Sequence, residues 1–433
     1  MTIPLSSLST RVSDKDREIL RSLAGRVREI AELPEQAVRK RRLANLNDLK
    51  PERPIVLCFP EGAWEEILSR SAMQCDSDLL RDWERGLRAR IYSWEHFRDD
   101  SAFEPFFNIN WHVTMGDYGV KIPYQHGAGR GSFHWTAPFE DIEAGFEKLK
   151  PAVHSVDRER TLGDIALATD LFGDLLPARI RGRYWWPKGL TLEVVNLIGL
   201  ETLMLAPYDQ PEGLHRLMGW LRDQHLHFFE WLETEGLLNP SKEDDYVGSG
   251  GWAYTDQLPQ PDSKSGMPVR LQDTWGFGEA QETVGMSPDM FSEFILPYQL
   301  PLLDRFGLNC YGCCEPVHER IEHILKVPRL RRLSVSPWCD QKIVAEKLGK
   351  TCVFSRKPNP TQICLTFDEE LIRKDLAETL DIAGEGPLEI IMKDTHTVQN
   401  EPWRITRWIE IAQDEVGKYM RRRKRTRPNV VLR

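Results

Sequence analysis

Six of the eight cysteines lie between Cys310 and Cys364, and three crowd into Asn309-Cys310-Tyr311-Gly312-Cys313-Cys314-Glu315. Thiols, a carboxylate and a permissive glycine in one short segment suit metal ligation or nucleophilic attack. Adjacent cysteines are poorly placed to bond to each other, so a disulfide within the loop is not expected. The plainer alternative is that some of these thiols act as small buried hydrophobes, as free cysteines commonly do.

The surrounding pattern puts this segment at the end of a strand. An apolar run ends at Leu308, and a helical pattern begins near Pro316. Farther on, strands at Arg332 to Ser336, Thr351 to Ser355 and Leu388 to Lys393 alternate with helices at Gln341 to Leu348, Asp368 to Leu380 and from about Pro402. Thr366 and Glu369 have the spacing of a capping box. Upstream, Ile55 to Phe59, Phe106 to Val113, Ala178 to Tyr184 and Val269 to Thr274 read as strands, and Leu203 to Tyr246 as largely helical. Parallel strands with helices outside follow, and about eight such units favour an α/β fold of the (β/α)8 TIM-barrel type. No glycine-rich dinucleotide fingerprint or phosphate loop follows any strand, which weighs against an open cofactor-binding sheet. Val247 to Pro268, rich in glycine and proline, reads as a lid or a surface insertion.

In a barrel the reactive groups sit at the C-terminal ends of the strands. That rule selects Cys313, Cys314 and Glu315; Trp338, Cys339 and Asp340; Arg356, Lys357 and Asn359; and Lys393, Asp394 and His396. Thiolates suit zinc, so Cys313, Cys314 and Cys339 are candidate metal ligands, with His396 another donor at the same mouth. Arg356, Lys357 and Lys393 are candidate holders of an anionic substrate, with Asn359 and Trp338 beside them. Asp394 could orient the His396 imidazole, and Glu315, Asp273 and His396 are candidate acid–base groups. The alternative for each is ordinary packing or solvated loop charge.

The net charge of −9 argues against a dedicated nucleic-acid binder. No uninterrupted apolar run is long enough to span a membrane, and the N-terminus has no apolar signal region. A cytoplasmic location is the expectation, where thiols stay reduced. The expected organisation is a charged, helix-prone extension over 1–50, a barrel over 51–417 and a basic tail over 418–433 that contains Arg421-Arg422-Arg423-Lys424-Arg425. The tail is either solvated or a contact for an anionic partner.

Several stretches together resemble the uroporphyrinogen decarboxylase superfamily over roughly residues 50 to 415. They are Leu271-Gln272-Asp273-Thr274-Trp275, Ser287-Pro288-Asp289-Met290-Phe291 with Leu296-Pro297-Tyr298, and the Tyr311-Gly312 strand end. Gly312-Cys313-Cys314-Glu315-Pro316, Ser336-Pro337-Trp338-Cys339-Asp340, Lys357-Pro358-Asn359-Pro360 and Lys393-Asp394 resemble a divergent branch of it. The resemblance implies a (β/α)8 barrel, often a homodimer. It also brings in methyltransferases that move a methyl group between a corrinoid and a thiol.

Two departures shape the functional expectation. The arginine-rich first loop of the decarboxylases is replaced here by Phe59-Pro60-Glu61-Gly62-Ala63-Trp64, and by the resemblance their essential aspartate corresponds to Asn110. The methyltransferases' His-x-Cys zinc pair would fall at Asn309 and Tyr311, so Cys313, Cys314 and Glu315, with Cys339 as the later cysteine, are the implied substitutes. The expected function is methyl transfer through a cysteine-ligated zinc, with the corrinoid carried by a partner protein. The alternatives are a metal-free decarboxylase or lyase, using Arg356, Lys357 and Lys393 to hold carboxylates, and a non-catalytic ligand-binding barrel.

Overall fold

The computed structural model describes residues 12–126, 133–182, 189–264 and 266–426. Eight strands that pair in parallel with their neighbours are numbered here along the chain: β1 (Ile55–Cys58), β2 (Phe107–Ile109), β3 (Ala178–Ile180), β4 (Trp275–Gly278), β5 (Leu308–Tyr311), β6 (Leu330–Val335), β7 (Val353–Arg356) and β8 (Leu388–Met392). Six form one continuous sheet in the order β1-β8-β7-β6-β5-β4, and β2 pairs separately with β3. Residues 183–188, the expected end of the third strand included, lie outside the described set.

The α/β alternation is therefore present, but among the described residues hydrogen bonding does not close the strands into a barrel. A local cause is visible at the free edge of β1. The Val56 and Cys58 amides donate to the Asp100 and Asp99 carboxylates, each at 2.9 Å, where a neighbouring strand would otherwise accept them.

The two faces of the sheet bury different things. Val56, Leu333, Val335, Phe354, Ile390 and Met392 face outward into the main core, against the helices Gln341–Leu348, Glu369–Ala383 and Trp403–Thr426. Those helices start as local chemistry requires. Asp340 caps the first, and Asp368 accepts from the Glu370 and Leu371 amides at the second, displacing the expected Thr366–Glu369 capping box.

The inner face takes Ile55, Leu57, Val353, Ile391, Phe277 and Cys310. It is covered by the segment expected to be a lid, whose Val247, Ser249, Ala253, Tyr254 and Leu258 are buried. Its glycines explain the difference. A side chain on Gly248 (φ 66°) would lie 2.3 Å from the Cys310 sulfur, and one on Gly251 (φ 111°) 2.9 Å from the Arg332 guanidinium. Here glycine serves close backbone approach to the sheet, not loop freedom.

The N-terminal helices pack on the same body. Asp14–Ala31 lies against the helices Asp78–Tyr92 and Arg158–Phe172. Pro34–Asn47 brings Leu43 and Leu46 onto Ile55, Leu57 and Val353 at the inner face. The first 11 residues lie outside the described set, as do 427–433 of the expected tail; the final helix runs through residue 417 to Thr426. Among the described residues no helix is long and apolar enough to cross a membrane.

Candidate functional site

The site is built where the first strand meets the last. β1 and β8 pair in register from Ile55↔Glu389 to Cys58↔Met392, and the Phe59 amide continues the ladder to the Met392 carbonyl. The loops leaving both strands are thereby fastened side by side. The Ala63 amide donates to the Thr395 carbonyl at 3.0 Å, and the Asp394 amide to Glu61 Oε2 at 3.1 Å. Glu61, Asp394 and His396 then present ligand atoms all within 4.8 Å of one another, and among the described residues no other such group of His, Cys, Asp or Glu occurs.

Lys393 sits inside this group, 2.8 Å from Asp394 Oδ1 and 4.0 Å from Glu61 Oε1. Burial disfavours its charge, yet Cys313, Asp394 and Glu61 outweigh that and hold it above the ordinary lysine range. Burial raises Glu61, with the Lys393 ammonium opposing. Tyr246 feels Lys393, Glu61, Cys313 and Asp394, which ties the thiol loop to the same cluster.

In that loop, after β5, the Cys313 and Cys314 sulfurs are 3.7 Å apart, and Ser249 Oγ lies 3.6 Å from Cys313 Sγ. Their shared hydrogen bond raises Cys313 and lowers Cys314, the more exposed of the two. A depressed, accessible thiol is the reactive kind.

The other expected residues are dispersed. Glu315 is 2% exposed and accepts from the Cys313 amide (2.7 Å) and the Ala280 amide (2.9 Å), so it shapes the thiol loop; burial raises it. Cys339 is buried beside Ser336 Oγ (3.4 Å) and donates to the Glu315 carbonyl (3.7 Å). Cys313, Cys314 and Cys339 thus do not converge as a ligand group among the described residues: the third thiol is held between its own loop's Ser336 hydroxyl and the Glu315 carbonyl of the thiol loop. Trp338 is 67% exposed, and Asn359 accepts from the Thr361 amide as a turn former.

The cationic trio separates for a simpler reason. Neighbours on a strand point to opposite faces. Arg356 turns outward to Asp375 (3.3 Å) and the Ser336 carbonyl (2.8 Å), while Lys357 turns inward to Ser355 Oγ (2.5 Å). Asp273 lies at the opposite end of the sheet. The expected strand Val269 to Thr274 begins instead at Trp275, and Asp273 accepts from the Gln260 and Arg270 amides before it. The true strand end brings Glu279, which sequence reasoning missed along with Glu61 and Tyr246. Glu61 was findable, because the strand-end rule applied to the first strand selects it.

No family model and no curated protein matches the chain. The fold is similar to that of a methyltransferase from Methanosarcina mazei, with a TM-score of 0.50 at 13% identity over 87% of this chain and 98% of that one. At such identity the likeness is one of fold.

Proposed function

We propose that the chain is a methyltransferase, moving a methyl group between a corrinoid carried by a partner protein and a thiol or other small acceptor. The Cys313–Cys314 pair, with its sulfurs 3.7 Å apart at the end of β5, carries this reading. The fold shared with a methyltransferase supports the framework. The corrinoid would supply the methyl group as an electrophilic carbon.

The chain's own residues have distinct tasks. Cys314 would serve as the thiolate nucleophile that takes up the methyl group. Cys313 would stabilise that thiolate through the shared hydrogen bond, and the Lys393 ammonium favours it electrostatically. Glu315 keeps the loop in place through the Cys313 amide.

The test is a methyl-transfer assay with methylcobalamin as donor and a panel of small thiols as acceptors. Cys314→Ala should lose about 100-fold or more in rate with an unchanged melting temperature. Cys339→Ala, outside the reacting pair, should stay within about threefold of wild type. Wild-type turnover in Cys314→Ala would sink the proposal.

A further inference from the structure

We propose that Glu61, Asp394 and His396 form a binding site for one divalent cation of the zinc or manganese class, built from oxygen and nitrogen donors and without a cysteine ligand. The first ground is the donor set. Two carboxylates and an imidazole converge within 4.8 Å from loops fastened by the β1–β8 register. Carboxylate oxygen and imidazole nitrogen together suit zinc or manganese, and three protein ligands leave positions open for another molecule.

The second ground is the backbone. Glu61 (φ 49°) and Asp394 (φ 57°) both lie in the left-handed region, which glycine or asparagine adopts more readily. Such a residue persists where surrounding structure enforces it, commonly at ligand sites. Here the conformation carries both carboxylates to the same point.

A third ground is the approach of the loops. A Cβ on Gly62 would sit 3.0 Å from His396 Nδ1 and 3.1 Å from its Cα, so glycine between the two ligand-bearing segments lets the imidazole come in. The Lys393 ammonium stands against both acids, so an entering divalent cation has to displace it from them.

None of these grounds involves the thiols, so the cation site stands or falls separately from methyl transfer. Full-length protein is stripped with chelator, then titrated with zinc and with manganese by calorimetry, and bound metal is counted by elemental analysis. One ion per chain is expected. His396→Ala and Glu61→Gln should each weaken binding by about tenfold or more, as should Gly62→Ala through the displaced imidazole. Cys313→Ser/Cys314→Ser should bind within about threefold of wild type, since it removes no ligand.

Cobalt(II) loading adds a spectroscopic readout, because thiolate ligation produces an intense sulfur-to-cobalt charge-transfer band. Its absence is expected. Failure of the wild type to bind either ion, a strong charge-transfer band, or loss of binding in the double serine variant with retention in His396→Ala would each overturn the proposal. Loss of methyl transfer in Cys314→Ala with metal retained would bear only on the enzymatic reading.

Discussion

A single step along β7 decides what Arg356 and Lys357 can do. Arg356 reaches Asp375 in the helical layer, whereas Lys357 is buried inside with Ser355, Glu389 and Arg332 nearby. Burial lowers Lys357 from the ordinary 10.5 to about 8. A lysine lowered in the folded state opposes folding in full below pH 8, where both states are charged. Between about 8 and 10.5 the unfolded chain holds the extra proton, so this group makes stability rise with pH there. Urea unfolding of wild type and Lys357→Met should therefore diverge at neutral pH, with the variant more stable by up to ~3 kcal/mol, and converge above pH 10. A difference that stays flat from pH 7 to 10 would contradict the burial of the ammonium. The same sensitivity to orientation separates Cys314, exposed on its loop, from Cys339, whose buried thiol bonds to a backbone carbonyl. Residue types alone could not distinguish them.

The edge of β1 is the telling element. Asp100 accepts the Val56 amide while its other contacts run to Arg42 (3.1 Å) and Arg53 (2.5 Å), and its side chain is 5% exposed. Asp100→Ala should cost ~3–5 kcal/mol, because it strands two guanidinium groups and a buried amide together. Asp100→Asn keeps an acceptor for the amide and should cost less. Chemical denaturation would measure both; a loss under ~1 kcal/mol in the alanine variant would mean that the carboxylate is not what completes this edge. Elements in the C-terminal half were legible from periodicity: Gln341–Leu348 matches its expected span, and β5, β7 and β8 agree to within a few residues. β4 was read too early, since Leu271-Gln272-Asp273 looks extended but forms a helical turn closed by the Asp273 carboxylate on the Arg270 amide. That error carried Asp273 to the wrong end of the sheet and hid Glu279.

Across the molecule, the N-terminal helices are part of the core rather than an appendage. Leu43 and Leu46 are each 1% exposed against the inner-face residues, and Asn47 Nδ2 bonds to the Trp252 and Tyr254 carbonyls, both at 2.8 Å. The Arg332 guanidinium donates to Asn47 Oδ1 at 2.7 Å. A chain starting at residue 51 should expose that apolar surface and leave Arg332 with fewer partners. It should elute as aggregate and lose its cooperative melt; a soluble monomer melting as the full chain does would refute this role.

Sequence by itself determined the α/β alternation, most helix positions and the loops that hold the thiols, Lys393, Asp394 and His396. Those features rest on local periodicity, capping and strand-end chemistry, all written within a few neighbouring residues. Tertiary structure alone decided that Glu61 meets Asp394 across 333 positions, that Cys339 stays apart from Cys313, and that the glycine-rich segment lies inside rather than over the site. These depend on strand order and register, and a shift of one residue turns every side chain of a strand to the opposite face.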